Sequence, residues 1–254
     1  MIDIHCHILP GLDDGAETDE DTLKLARGAV ADGIHTVIAT PHHGNGRYTN
    51  CKPDVLRAAE YCRELLRAHN IPLTVLAGQE IRVTDRWLDE WQADRLLDLA
   101  DSGVVLLEFP SSHVPSCTNE LLHEIAVLGL RAVIAHPERN RELASSPEKL
   151  HDLIDRGAYM QITSHAITGM FGRTVRKQSL DWIAQRLVHF IASDAHHPVS
   201  RPFALREAYD LIEKKIGKEM ADYLRHNAQC LLSRESIDVL KPVVRKRRWF
   251  LLSP

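Results

Sequence analysis

Seven short apolar runs, each followed by an amphipathic stretch of helical period, restrict the fold of this chain more than any other feature. They lie at 2–6 (IDIHC), 36–40 (TVIAT), 73–78 (LTVLAG), 103–108 (GVVLLE), 132–136 (AVIAH), 158–162 (AYMQI) and 188–193 (VHFIAS). Helical patterns are expected near 19–32, 53–69, 85–99, 118–129, 147–156, 167–186, 201–215, 218–226 and 227–233. A strand that is apolar along its whole length is buried on both faces, and a helix after every such strand implies a parallel sheet covered by helices. That many units in 254 residues, with no Pro/Gly/Ser-rich linker, favour a closed or nearly closed βα barrel over a doubly wound open sheet. The nucleotide fingerprints of the open-sheet folds, G-x-G-x-x-G after the first strand and G-x-x-x-x-G-K-[ST], are missing.

The residues with metal-ligand chemistry fall where the strands end. His5 and His7 close the first run, His42 and His43 follow the second, and Glu80 follows the third. Glu108 ends the fourth, His136 the fifth, and Asp194 and His196 follow the seventh. In a parallel barrel all these ends open on one face, where such folds build their active sites. On a strand, His5 and His7 point to the same side and can grip one ion while Cys6 points into the wall. Taken singly, His42 or His196 reads as a hydrogen-bonded loop histidine and Glu80 as a helix cap. Glu108 closes an apolar run, where an unpaired carboxylate carries a heavy desolvation cost that a metal removes. Imidazole and carboxylate without thiolate suit Mn, Fe or Zn better than Mg or Ca. The ligands exceed one tetrahedral ion, and Glu80 or Glu108 can bridge two ions about 3.5–4 Å apart, so two or three metals are expected.

Asp14 is expected to join the metals from the first loop, whereas Asp13 reads as part of the turn feeding the first helix. His43 and His197 are expected behind the ligands or at the surface, and the remaining histidines in ordinary roles. Arg139, in His136-Pro137-Glu138-Arg139, and Arg201, beyond Asp194, are placed to present guanidinium forks to phosphate oxygens over the metals. Cys51 to Arg57 matches the C-x5-R spacing of cysteine phosphatases. Its intervening residues, Lys-Pro-Asp-Val-Leu, remove a donor and repel an anion, so the match reads as accidental.

Charge and cysteine content narrow the setting. Five basic residues among 241–254 leave the rest of the chain at −9 against an overall −4, which argues against a nucleic-acid surface on the folded body. A domain over 1–240 followed by a basic tail over 241–254 is expected. The tail can contact an acidic partner or an anionic membrane surface, or stay solvated. Five cysteines with no C-x-x-C pair, no secretory leader and no membrane-length apolar run read as a cytoplasmic protein.

The segments I-D-I-H-C-H-I-L-P-G-L-D-D-G, A-T-P-H-H, G-Q-E-I-R, E-F-P, I-A-H-P-E-R-N-R, Q-I-T-S and A-S-D-A-H occur together and in order. In this combination the chain resembles the polymerase-and-histidinol-phosphatase (PHP) superfamily, and within it the manganese-dependent tyrosine-protein phosphatases of Gram-positive capsular and exopolysaccharide operons. The resemblance implies a single-domain α/β fold, a distorted (β/α)7 TIM-like barrel with a trinuclear Mn2+ centre. It implies that His5, His7, Glu80 and Asp194 hold one ion and that Glu80, Glu108 and His136 hold a second. Asp14, His42 and His196 would hold or frame the third, and Arg139 and Arg201 would bind phosphate. The implied partner is a phosphotyrosine protein, a cognate bacterial tyrosine kinase.

The expected mechanism is metal-activated hydroxide attack on phosphorus, with His42 or Asp194 supplying any proton the leaving oxygen needs. Three rivals share some of these features. A small-molecule phosphatase of the histidinol-phosphatase type would use the same metals. An amidohydrolase-type deacetylase or deaminase would want a strand-four lysine or other bridging ligand where Glu108 stands. A non-catalytic metal-binding regulator would have no use for two arginines over the ions.

Overall fold

The computed structural model describes residues 1–243, so most of the basic tail lies outside the described residues. Among the described residues nine strands occur in the order β1 (Ile2–Cys6), β2 (Thr36–Ala39), β3 (His42–His43), β4 (Thr74–Ala77), β5 (Glu80–Arg82), β6 (Val104–Glu108), β7 (Arg131–Ala135), β8 (Tyr159–Thr163) and β9 (Phe190–Ala192). The helices are α1 (Asp19–Ala31), α2 (Lys52–Ala68), α3 (Trp87–Gln92), α4 (Thr118–Val127), α5 (Arg141–Ser145), α6 (Pro147–Asp155), α7 (Ser164–Thr168), α8 (Arg173–Ala184), α9 (Leu205–Lys215) and α10 (Lys218–Ser233). Every strand pairing is parallel. One sheet has the order β1-β2-β4 and the other β3-β5-β6-β7-β8-β9.

The second and third expected runs each continue past a break as a separate short strand. Pro41 interrupts the ladder between β2 and β3 because it has no N–H to donate. Gly78-Gln79 separates β4 from β5. Across these breaks Gly78 N–H donates to Ala39 O at 2.9 Å and Glu80 N–H to Pro41 O at 3.2 Å. The first and last strands are joined as well, by Asp194 N–H to His5 O at 2.9 Å and His7 N–H to Ala195 O at 2.8 Å. Asp3 strengthens that seam from inside, accepting from the Ser193 backbone N–H at 2.9 Å and from its hydroxyl.

Two apolar layers follow from the strand period. Ile4, Ile38, Leu106, Val133 and Phe190 form a cluster on one side of the sheets, with Ala228 and Leu231 of α10 packed into it. Their neighbours Val37, Val105, Leu107 and Ile134 pack on the other side against Ala26 of α1, Ala59 of α2 and Leu121 of α4. Cys6 belongs to this helix-side layer although Ile2 and Ile4 do not, because the β1 register breaks between Asp3 and Cys6. The wall position expected for Cys6 is therefore observed.

Helix boundaries depart from expectation in three places. The helix expected over 85–99 ends at Gln92, and Asp94 adopts a left-handed backbone; Leu96, Leu97 and Leu99 are then buried in the core outside any helix or strand. The pattern at 167–186 divides into α7 and α8 at Gly169 and Gly172, both with positive φ. The two expected C-terminal helices are one, α10.

His189 makes the fold sensitive to acid. Its Nδ1 accepts the Met160 backbone N–H at 3.1 Å, which requires a neutral ring, and burial pushes its pKa down to about 4. In the unfolded chain the ring takes up a proton near pH 6.5, so between about 6.5 and 4 the unfolded state binds a proton that the native state does not. Stability should fall as pH falls through that window. Urea midpoints measured from pH 7.5 to 4.5 should decline, and His189→Gln should flatten the slope; an unaltered slope would assign it to other groups.

Candidate metal centre

The strand ends bring nearly all the expected residues into one buried cluster. His5 Nε2 lies 3.2 Å from His7 Nε2, 3.3 Å from Glu80 Oε2 and 3.3 Å from Asp194 Oδ1. His7 Nε2 lies 3.3 Å from Glu80 Oε2 and 3.4 Å from Asp194 Oδ1. A tetrahedron of ligands about 2.0–2.1 Å from a central ion has edges of about 3.3 Å. These five separations match it, and the four side chains are almost fully buried.

His42 links this group to two more. Its Nδ1 is 3.0 Å from Glu80 Oε2 and 3.7 Å from Glu108 Oε2, while its Nε2 is 3.4 Å from Asp14 Oδ1. His196 Nε2 reaches the same Asp14 oxygen at 3.5 Å, because its Nδ1 is taken by the Asp194 carbonyl at 2.9 Å. Three ligand sets result: His5, His7, Glu80 and Asp194; His7, Asp14, His42 and His196; and His42, Glu80 and Glu108. The grouping differs in detail from the expected one. Glu108 sits with His42, and His136 enters through a 2.7 Å contact from its Nε2 to Glu80 Oε1. His42 Nδ1 and Glu80 Oε2 are buried without a hydrogen-bond partner, as the donor set of a cation site would be, and Glu108 Oε2 has the Arg82 guanidinium beside it at 2.9 Å.

The electrostatics show how much positive charge the carboxylates demand. Burial opposes ionising Glu80, but His42 and His5 outweigh it and hold this carboxyl well below its ordinary range. Asp194 is likewise held low against burial by His5, His7 and Arg201. Burial also disfavours charge on His5 and His7, yet Glu80 and Asp194 raise the first, and Asp13 with Asp194 and Glu80 raises the second well above the ordinary value. Glu108 goes the other way: burial and the neighbouring Glu80 push it up to about 7. Burial and the Arg139 charge lower His136 to about 4.

Backbone strain is concentrated here too. His136 has φ 34° and Asp194 φ 53°, both in the left-handed region that costs a non-glycine residue roughly 1–3 kcal/mol. Those turns carry each side chain off the end of its strand. Arg139 NH1 reaches Asp194 Oδ2 at 2.8 Å, and Arg201 NH2 pairs with the same oxygen, so both expected phosphate-binding arginines stand over the cluster. Phe171 lies under the Arg139 guanidinium, 5.6 Å from its ring centre, and His165 packs edge-on against Phe171 at 6.0 Å.

Two contributors were not among the expected site residues. Asp13, read as a turn residue, accepts from His7 Nδ1 at 2.6 Å and from the His42 backbone N–H at 2.9 Å. Gln161 Oε1 lies 2.8 Å from His5 Nδ1. Each fixes which ring nitrogen faces the cluster. The signal for Gln161 was present, since it is the polar residue inside the apolar run AYMQI; Asp13 had no signal that separated it from a cap. His43, by contrast, is a structural residue, buried between Asn50 O at 2.9 Å and Glu90 Oε2 at 3.0 Å, and His197 is exposed. Arg57 sits on the outside of α2 paired with Asp54, so the C-x5-R match makes no anion cradle.

Imidazoles and carboxylates gathered at parallel strand ends beneath two arginines define the class: mixed α/β proteins whose strand ends carry ligand clusters able to bind metal ions. Residues 1–233 match the family described as capsular polysaccharide synthesis, CpsB/CapC, and the chain belongs to it. It is 44% identical to the tyrosine-protein phosphatase YwqE of Bacillus subtilis (strain 168) over 248 residues, 98% of each chain. It is 31% identical to the tyrosine-protein phosphatase CpsB of Streptococcus pneumoniae over 229 residues, 88% of this chain and 94% of that one. One chain from the crystal structures of YwqE and CpsB, described as unique metal-dependent tyrosine phosphatases, superposes with a TM-score of 0.93 at 44% identity. The match covers 96% of this chain and 100% of the other.

Two substitutions test the support of the cluster. Asp13→Ala removes the acceptor behind His7 and should weaken metal uptake about 10–100-fold in a titration of chelator-treated protein, with the circular dichroism spectrum unchanged. A Cβ on Gly15 would fall 2.1 Å from His7 O and 2.5 Å from His7 Cβ. Gly15→Ala should therefore displace the first loop and cost both metal uptake and thermal stability; uptake equal to that of the parent would show that the loop is free to move.

Proposed function

We propose that this chain is a metal-dependent protein-tyrosine phosphatase, a phosphoric monoester hydrolase that does not use cysteine. The observation that carries the reading is the near-tetrahedral set of His5, His7, Glu80 and Asp194 with Arg139 and Arg201 directly above it. Relatives named as tyrosine-protein phosphatases, matched over nearly the whole chain, favour this over a histidinol-phosphatase function.

His5, His7, Glu80 and Asp194 would hold one ion, His42, Glu80 and Glu108 with His136 behind Glu80 a second, and Asp14 and His196, with the other ring nitrogen of His42, would frame a third. The donor chemistry fits Mn2+, with Fe and Zn as other occupants. Bound ions would supply Lewis acidity, neutralising phosphate charge and making water acidic enough to attack at neutral pH. Seams between β1 and β9 and across the two strand breaks support one distorted (β/α)7 barrel whose strands converge on this mouth.

Arg139 and Arg201 would exchange Asp194 for the substrate phosphate, and their guanidiniums take up charge on its equatorial oxygens. A cavity of about 360 Å³ beside Glu108 and His136, lined also by Arg82, Phe109 and Arg139, has room for a phosphotyrosyl side chain. Water adds to phosphorus as the phosphorus–phenol oxygen bond breaks. Tyrosine's phenol has a pKa of about 10, so phenolate departs without a strong acid. Asp194, held ionised by His5, His7 and Arg201, is no source of a proton, and with both ring nitrogens of His42 turned towards the ion sets the phenolate leaves without a side-chain acid.

We further propose a bacterial tyrosine kinase of capsule or exopolysaccharide synthesis as the protein substrate, met in the cytoplasm. No helix among the described residues is long and apolar enough to cross a membrane.

Metal-stripped protein should be inactive on a phosphotyrosine peptide and recover with Mn2+, and should leave phosphoserine peptide and histidinol phosphate nearly untouched. His136→Ala and Arg201→Ala should each lower kcat/KM by about 10²–10³, whereas Cys51→Ser should not. Activity that survives chelation, or that depends on Cys51, would remove the metal reading; equal rates on phosphoserine would remove the tyrosine claim.

A further inference from the structure

A groove between α5 and α8 and the start of α8 carry a charge pattern that catalysis does not require. Helix α8 opens with Arg173, Arg176 and Lys177 and has no acidic residue in its first turn. This opposes the usual rule, since the amino end of a helix is already positive and favours anionic side chains. Arg141, on α5, joins Lys177 in lining a groove of about 570 Å³ between the two helices, with Asp181 and Trp182 also in its lining. Gln178 Nε2 donates to Ala144 O at 2.8 Å and holds the groove's walls together.

Arg139, Lys149 and Arg201 all have ion-pair partners. Arg141, Arg173, Arg176 and Lys177 enter no salt bridge among the described residues, and all but the half-buried Arg176 are exposed. They gather on a folded body whose net charge is −9 once the five basic tail residues are set aside from the overall −4. Position along the chain ties the patch to the site: Arg139 and Arg141 are two residues apart, and Arg176 packs over Gly169, two residues before the Phe171 that stacks under Arg139.

We propose that the groove between α5 and α8 is a docking track for an acidic segment of the phosphotyrosine-bearing protein, lying a few residues from the phosphorylated side chain. The inference rests on the phosphatase reading and extends it to substrate selection. Unpaired basic groups at the rim of a site draw an acidic chain by long-range attraction and fix its direction, while the metals and arginines do the chemistry. Like other exposed electrostatic contacts, the attraction weakens as salt rises.

The test uses full-length, Mn2+-loaded protein and two phosphotyrosine peptides that differ only in Glu or Ser at the flanking positions. The parent should prefer the Glu peptide. Arg173→Gln/Lys177→Gln should raise KM for that peptide about tenfold at low salt, the scale of two partly screened charge pairs. Its kcat, and turnover of para-nitrophenyl phosphate, should not change.

Anisotropy of a labelled, unphosphorylated Glu peptide gives a readout independent of turnover and should show the same loss of binding. Parent that binds this peptide but hydrolyses neither phosphopeptide would retain the groove and remove the phosphatase reading. Undiminished binding by the double variant would overturn the proposal. So would a groove that responds to phosphatidylglycerol vesicles but not to the peptide, or binding abolished by deleting 244–254 alone.

Discussion

Two buried carboxylates, Glu80 and Asp194, are what the rest of this structure is arranged around. Neither has solvent to support its charge, and an ion removed from water this completely persists only beside opposite charge and hydrogen-bond donors. Here the support comes from His5, His7 and His42 on the strand side and from Arg139 and Arg201 above. The arrangement is close-fitting in distance yet leaves buried acceptor atoms without hydrogen bonds, which is what separates a site built for cations from a network complete in itself.

The strand framework serves that demand. Hydrogen bonds from Asp194 to His5 and from His7 to Ala195 fasten the last strand to the first, so residues nearly two hundred positions apart become neighbours. The register break in β1 and the left-handed turns at His136 and Asp194 are local departures from regular structure. Strain of this kind survives only where surrounding contacts over-determine it, and it clusters at functional sites. Behind the ligands, Asp13 and Gln161 decide which ring nitrogens of His7 and His5 face inward.

Membership in the CpsB/CapC family fits these particulars, because what the chain has in common with those relatives extends over nearly its whole length. The basic groove between α5 and α8 adds something a small-molecule phosphatase would not need, namely a surface outside the chemistry on which a chain can lie.

Much of this is legible in the order of amino acids. Apolar runs mark the strands because a strand buried on both faces leaves no other pattern, and His5, Glu80, Glu108, His136 and Asp194 announce themselves by standing where those runs stop. Helix limits are less legible: Asp94 and Gly172 end or divide helices through backbone angles that their neighbours' hydrophobicity does not encode. The pairing of ligands is beyond the sequence altogether. Whether Glu108 meets His42 or His136, whether Asp13 caps a turn or orients His7, and that two arginines converge on one Asp194 oxygen depend on how the strand ends are staggered in space. The order of residues determined which chemistry was available and at which end of the sheets; only the tertiary structure decided which atoms lie within 4 Å of one another, because that distance is set by packing between segments the chain does not place side by side.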